Sequence, residues 1–169
     1  MARDAARAAQ GDPTELILAL DASVRARYGD FEPFPLSVVR GQDLQVTVVA
    51  PYMAYRRSLV DLLRTRRPID DARWVGAVVV AVEPLRLDAP DVEEVLVTRN
   101  GSGVRSVGNT LKPMTFSNGA GEQRAVHAGT VLFAVDAFEP GARVVLQLTG
   151  PGLEPITYAF SDAELITLR

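Results

Sequence analysis

His127 is the only histidine in a chain that has no cysteine, so a search for a general base, a nucleophile's partner or a metal ligand starts there. Val126, Ala128 and Gly129 surround it, which places it at a strand end entering a turn. No Gly-x-Ser-x-Gly elbow offers a strained nucleophile, and no second histidine or thiolate completes a zinc site of the usual kind. The residue is therefore expected to be structural or superficial, and the sequence assigns no catalytic residue, no cofactor and no metal ligand.

Carboxylates are the next group with chemistry to offer. Asp88, Asp91, Glu93 and Glu94 lie close together in sequence. Paired carboxylates do acid/base work when their surroundings split their pKa values, and they can hold a hard cation. Adjacent strand residues point to opposite faces, which separates Glu93 from Glu94. Asp70-Asp71 sits in a loop that lacks the Asp-x-Asp-x-Asp-Gly pattern of a calcium loop. One alternative function follows: a small-ligand or carbohydrate-active protein using Asp88, Asp91 and Glu94 of the 88–94 region.

Residues 100–109 are rich in glycine, but a dinucleotide fingerprint would need glycine where Ser106 stands, and the Lys-Ser/Thr pair of a phosphate loop is missing. No helix opens after this segment to hold an anion, so it reads as a loop between strands. A helical period over residues 52–67 places Arg56, Arg57, Arg64 and Arg67 within an arc of about 100°. Four guanidinium groups on one face suit an acidic protein partner, an anionic surface or a phosphate polymer, and equally suit the solvated side of an amphipathic helix. The net charge of −3 speaks against general nucleic-acid binding, which needs a basic excess.

The elements that position these residues follow from periodicity and punctuation. Asp12-Pro13-Thr14-Glu15 is a helix start, and Leu16, Leu20, Val24 and Tyr28, with Ile17, form one apolar stripe. Gly29, Pro33 and Pro35 end it. Leu44, Val46 and Val48 alternate with Gln45 and Thr47, predicting a strand over 43–49. In the 52–67 helix Tyr52, Tyr55, Leu59, Leu62 and Leu63 form the buried side. Pro68 and Asp70-Asp71 break it, so residues 68–73 are the candidate internal boundary.

Beyond Trp74 the chain becomes short Val-, Leu- and Ile-rich runs. Strands are predicted near 75–82, 93–99, 123–127, 130–136, 142–148 and 155–160, with weaker ones near 104–107, 111–116 and 164–168. Val131, Phe133 and Val135 are expected to face inward, as are Ile156, Tyr158 and Phe160. Asn100-Gly101, Asn118-Gly119, Pro140-Gly141 and Gly150-Pro151-Gly152 supply turns. No parallel strand-helix-strand alternation appears, so the fold class is α+β, with an antiparallel sandwich in the C-terminal part. That part, 74–169, resembles an immunoglobulin-like β-sandwich without its cysteine pair; a smaller helix-strand-helix part, 1–73, packs on it.

With 169 residues the chain can bury one core without staples. No apolar run is long enough to span a bilayer. If Met1 is the native start the chain is expected in the cytoplasm, and if a leader has been removed it is an exported protein. The leading expectation is a non-enzymatic sandwich module for protein interaction or structural support. The arginine face is its candidate contact surface and an acidic protein its candidate partner. Anion or nucleic-acid binding by that helix is a further alternative. Open sheet edges also permit a homodimer without indicating one.

Overall fold

The computed structural model describes residues 13–28, 35–53, 56, 60 and 76–168. Pro13 opens helix α1 (Pro13–Tyr28), with Glu15 in its first turn facing the positive end of the helix dipole. Leu20 is buried and packs with Leu16, Ile17 and Tyr52. A second helical segment begins at Pro51 and includes residues 51–53, 56 and 60. Arg56 donates from Nε and Nη2 to the two carboxylate oxygens of Asp21, at 2.7 and 3.0 Å, and so ties the two helices together. Asp12, Gly29, Pro33, Tyr55, Leu59, Leu62, Leu63 and the break at 68–73 lie outside the described residues, as do the side chains of Val24 and Tyr28.

The strands are β1 (Leu36–Arg40), β2 (Leu44–Val49), β3 (Ala77–Pro84), β4 (Glu94–Arg99), β5 (Ser102–Val104), β6 (Ser106–Asn109), β7 (Lys112–Ser117), β8 (Gln123–Ala134), β9 (Val144–Gly150) and β10 (Leu153–Ala159). β1 was not expected from the sequence; it forms between Pro35 and a turn closed by Gly41, whose N–H donates to the Leu44 carbonyl. One sheet runs β1-β2-β3-β8-β6, with β7 also on β8, and the other runs β10-β9-β4-β5. β2 pairs with β3 from Leu44↔Pro84 to Val49↔Val79, so strands from both sides of residues 68–73 share one sheet.

The fold is α+β, with the two antiparallel sheets packed together. Val46, Val48, Val78, Val80, Val131 and Phe133 from the first sheet meet Val95, Val97, Leu146 and Leu148 from the second in one core. Period-2 alternation in β4 and β9 is what turns these residues inward. A 3-10 turn (Val135–Phe138) and the C-terminal helix α2 (Asp162–Thr167) add Phe138 and Leu165 to that core. Phe133, Phe138, Phe160 and Tyr158 form a chain of edge-to-face ring contacts. Val131 and Phe133 are buried as expected, whereas Val135 belongs to the 3-10 turn and is half-buried.

Three local expectations are corrected. Residues 100–109 are not one loop: Asn100 (φ 52°) and Gly101 (φ 81°) make a two-residue hairpin turn between β4 and β5. Positive φ at both central residues is what such a turn needs. After Arg105 the chain crosses to the other sheet as β6. The strands expected at 123–127 and 130–136 are a single strand, β8, because Gly129 (φ +143°) bends it without ending it. A Cβ at Gly129 would lie 2.6 Å from the Thr110 carbonyl oxygen, so glycine permits a close crossing there and not a turn.

Residues 164–167 are helix, not strand, and Leu168 is its C-cap. Ser161 Oγ accepts from the Glu164 N–H and the Glu164 carboxylate accepts from the Ser161 N–H, a reciprocal cap that nucleates the turn. Leu165 and Leu168, three apart, are then buried while Ile166 is exposed.

Candidate functional site

β3 pairs with β8 only from residue 129 to 134 of that strand. On the other side of β8, β7 pairs with residues 123–128. The β8 edge vacated by β3 is taken over by the loop that leads to β4. Arg124 Nη1 donates to the Leu87 carbonyl at 3.0 Å, and the backbone N–H of His127 donates to Asp91 Oδ1 at 2.7 Å. The same Asp91 oxygen lies 3.0 Å from His127 Nδ1. Both side chains are largely buried, at 17% and 19% exposure.

Glu93 joins them. One ligand-type atom from each of Asp91, Glu93 and His127 lies within 4.8 Å of the other two. The local cause is Val92, which is fully buried in the core. In an extended segment residues two apart share a side, so anchoring Val92 inward turns Asp91 and Glu93 outward together. The segment is pinned further by the Glu93 N–H, which donates to the Thr149 carbonyl at 3.0 Å. Gly150 touches it so closely that a Cβ there would lie 1.8 Å from the Asp91 carbonyl oxygen.

The other singled-out carboxylates have separate surroundings. Asp88 pairs with Arg86 at 3.3 Å, and Arg86 also reaches Asp43 at 3.5 Å. Glu94 opens β4 beside Thr149, whose hydroxyl donates to it at 3.4 Å. An open groove of about 570 Å³ lies between Leu85, Arg86 and Asp88 on one side and Phe116, Asn118 and Glu122 on the other. Of the four arginines, Arg56 is held by Asp21; Arg57, Arg64 and Arg67 lie outside the described residues, as does Asp70-Asp71. No helix among the described residues is long and apolar enough to cross a membrane.

A second feature is the outer face of the four-stranded sheet. Its cross-strand register sets Leu96 beside Gln147 and Thr157, and Thr98 beside Val145, Ala159 and Gly103. Glu94 and Thr149 complete the rows at one end. Leu96 is 40% exposed. Of these nine residues only Glu94 carries a charge. By contrast, the outer side of the six-stranded sheet buries Ala77, Val79 and Leu132.

The Asp91–Glu93–His127 grouping is not legible from the neighbours Glu93 and Glu94, which point to opposite faces. The available signal was the Asp91-Val92-Glu93 alternation. Only the path of the 85–93 loop brings that pair to a residue 36 positions away from Asp91. Comparison with family models, with curated proteins and with solved structures finds no match to this chain.

Proposed function

We propose that this chain is a non-enzymatic, immunoglobulin-like β-sandwich module that acts by binding a protein partner. Strand order supports the fold assignment. Immunoglobulin-type sandwiches place strands A, B, E and D in one sheet and C, F and G in the other. Taking β2 as strand A makes β3, β8 and β6–β7 strands B, E and D, while β4, β9 and β10 take the places of C, F and G, with β5 as the added edge strand.

The observation that carries the binding assignment is the charge-poor outer face of the four-stranded sheet. A sheet face that meets only water normally alternates charged and polar residues against the buried side. Here Leu96, Thr98, Val145, Gln147, Thr157 and Ala159 stand together. Depletion of charge with retained apolar and hydroxyl groups is the composition of an interface centre. The exposed Arg143 and Glu154 at the strand ends supply a polar rim. Four strands about 4.8 Å apart and three to seven residues long present about 400 Å². That is half of the ~800 Å² per partner of a standard stable complex, so the contact is a transient one unless loops add to it.

The test is affinity capture from the native cell extract with wild type, with Leu96→Glu/Val145→Glu and with Arg57→Glu/Arg64→Glu, each first shown to be folded by circular dichroism. A partner kept by the arginine variant and lost by the sheet-face variant is the expected result. Loss with the arginine variant alone would move the contact to the 52–67 helix, and no specific partner for wild type would sink the module reading.

A further inference from the structure

We propose that Asp91, Glu93 and His127 form a binding site for a divalent transition-metal ion of the zinc class. The donor set is one imidazole nitrogen and two carboxylate oxygens, already gathered within 4.8 Å of one another. Two ligands each about 2.1 Å from one ion lie about 3.0 Å apart at a right angle and about 3.4 Å apart at the tetrahedral angle. His127 Nδ1 and Asp91 Oδ1 are 3.0 Å apart, so this pair has to open by only about 0.4 Å to share a tetrahedral ion. The ion takes the place of the proton that otherwise lies between them.

The supporting contacts are those of a prepared ligand set. Asp91 keeps the hydrogen bond from the His127 backbone N–H, which orients its carboxylate independently of the imidazole. Val92 in the core, the Glu93 N–H on Thr149 and the close approach of Gly150 hold the Asp91-x-Glu93 backbone rigid, so binding orders little beyond the Glu93 side chain. Among the described residues no hydrogen bond or ion pair engages the Glu93 carboxylate, which leaves it available as the third ligand. An imidazole donor favours zinc and its transition-metal neighbours over calcium and magnesium, which take oxygen ligands in larger number. Three protein ligands leave a position for water, as in an open zinc site.

The experiment titrates the full-length, chelator-treated chain with zinc chloride by calorimetry, and separately with magnesium and calcium chloride. One zinc per chain is expected, with magnesium and calcium at least about tenfold weaker. Glu93→Gln changes an exposed side chain and is expected to fold as wild type while weakening zinc at least about tenfold; His127→Gln removes it. Because the chain has one histidine, its imidazole ring resonances report the site directly by NMR and shift on zinc addition in wild type. The proposal is overturned if wild type takes up no zinc, if the ring resonances stay put while zinc binds, if Glu93→Gln and His127→Gln bind as wild type does, or if calcium or magnesium binds as tightly.

Discussion

Tyr158 donates its hydroxyl to Glu164 Oε1, across the junction between β10 and α2. Burial, reinforced by the hydrogen bond and charge of Glu164, pushes the Tyr158 phenol from 10.0 up to about 12. Burial pushes the Glu164 carboxyl upward as well, but the hydrogen bonds from Tyr158 and from the Ser161 backbone and hydroxyl outweigh it and hold the group below its ordinary value of 4.5. The two shifts act at opposite ends of the pH scale. The Tyr158 contribution is complete below pH 10 and is lost as pH rises toward about 12, because the unfolded phenol ionises first. The Glu164 contribution is present above its ordinary value and is lost as pH falls through its lowered one. Chemical denaturation of wild type and Tyr158→Phe at several pH values tests this. The variant should be less stable by about 1 kcal/mol at neutral pH. That gap should shrink between pH 10 and 12, and a constant gap over that range would refute the linkage.

At the scale of elements, two glycines decide what their strands can do. Gly129 lets β8 continue past the Thr110–Leu111 crossing, so one strand serves both β7 and β3. Gly150, at the end of β9, admits the Asp91–Glu93 backbone at a distance no side chain allows. Gly150→Ala forces that backbone outward, and strain of this kind costs typically 1–3 kcal/mol, about the range expected here. Urea denaturation reads the effect, and an unchanged midpoint would show that the contact yields easily. The same substitution displaces Asp91 relative to His127 and so should also weaken zinc uptake.

For the molecule as a whole, the sheet edges that no strand among the described residues covers carry features that discourage pairing with another copy. β1 has a register irregularity between Ser37 and Val39, and β10 has one between Leu153 and Ile156 together with Pro155. β7 carries Lys112 and Pro113, and β5 is three residues long. Missing N–H groups, bulges, charge and shortness are the usual protections of edge strands. Restoring donors with Pro113→Val and Pro155→Val should shift the protein toward larger species than wild type in size-exclusion chromatography with light scattering. An unchanged elution and mass would show that the prolines do not guard these edges.

What the sequence determined by itself is what depends on neighbours in the chain. α1 begins at Pro13, β2 follows the alternation of Leu44, Val46 and Val48, and Asn100-Gly101 and Pro151-Gly152 make the tight turns, because φ preference and side-chain period act over a few residues. The inward set Val131 and Phe133 was legible for the same reason. The Ser161–Glu164 cap is equally local, but Leu165, Ile166, Thr167 and Leu168 after it are also good strand formers and mask the helix. Tertiary structure alone decided the strand order, the fusion of 123–134 into one strand and the meeting of Asp91 and Glu93 with His127. Each of these depends on which distant segment occupies a sheet edge, and edge partners are chosen by shape and burial across the whole core, on which the order of residues along one strand is silent.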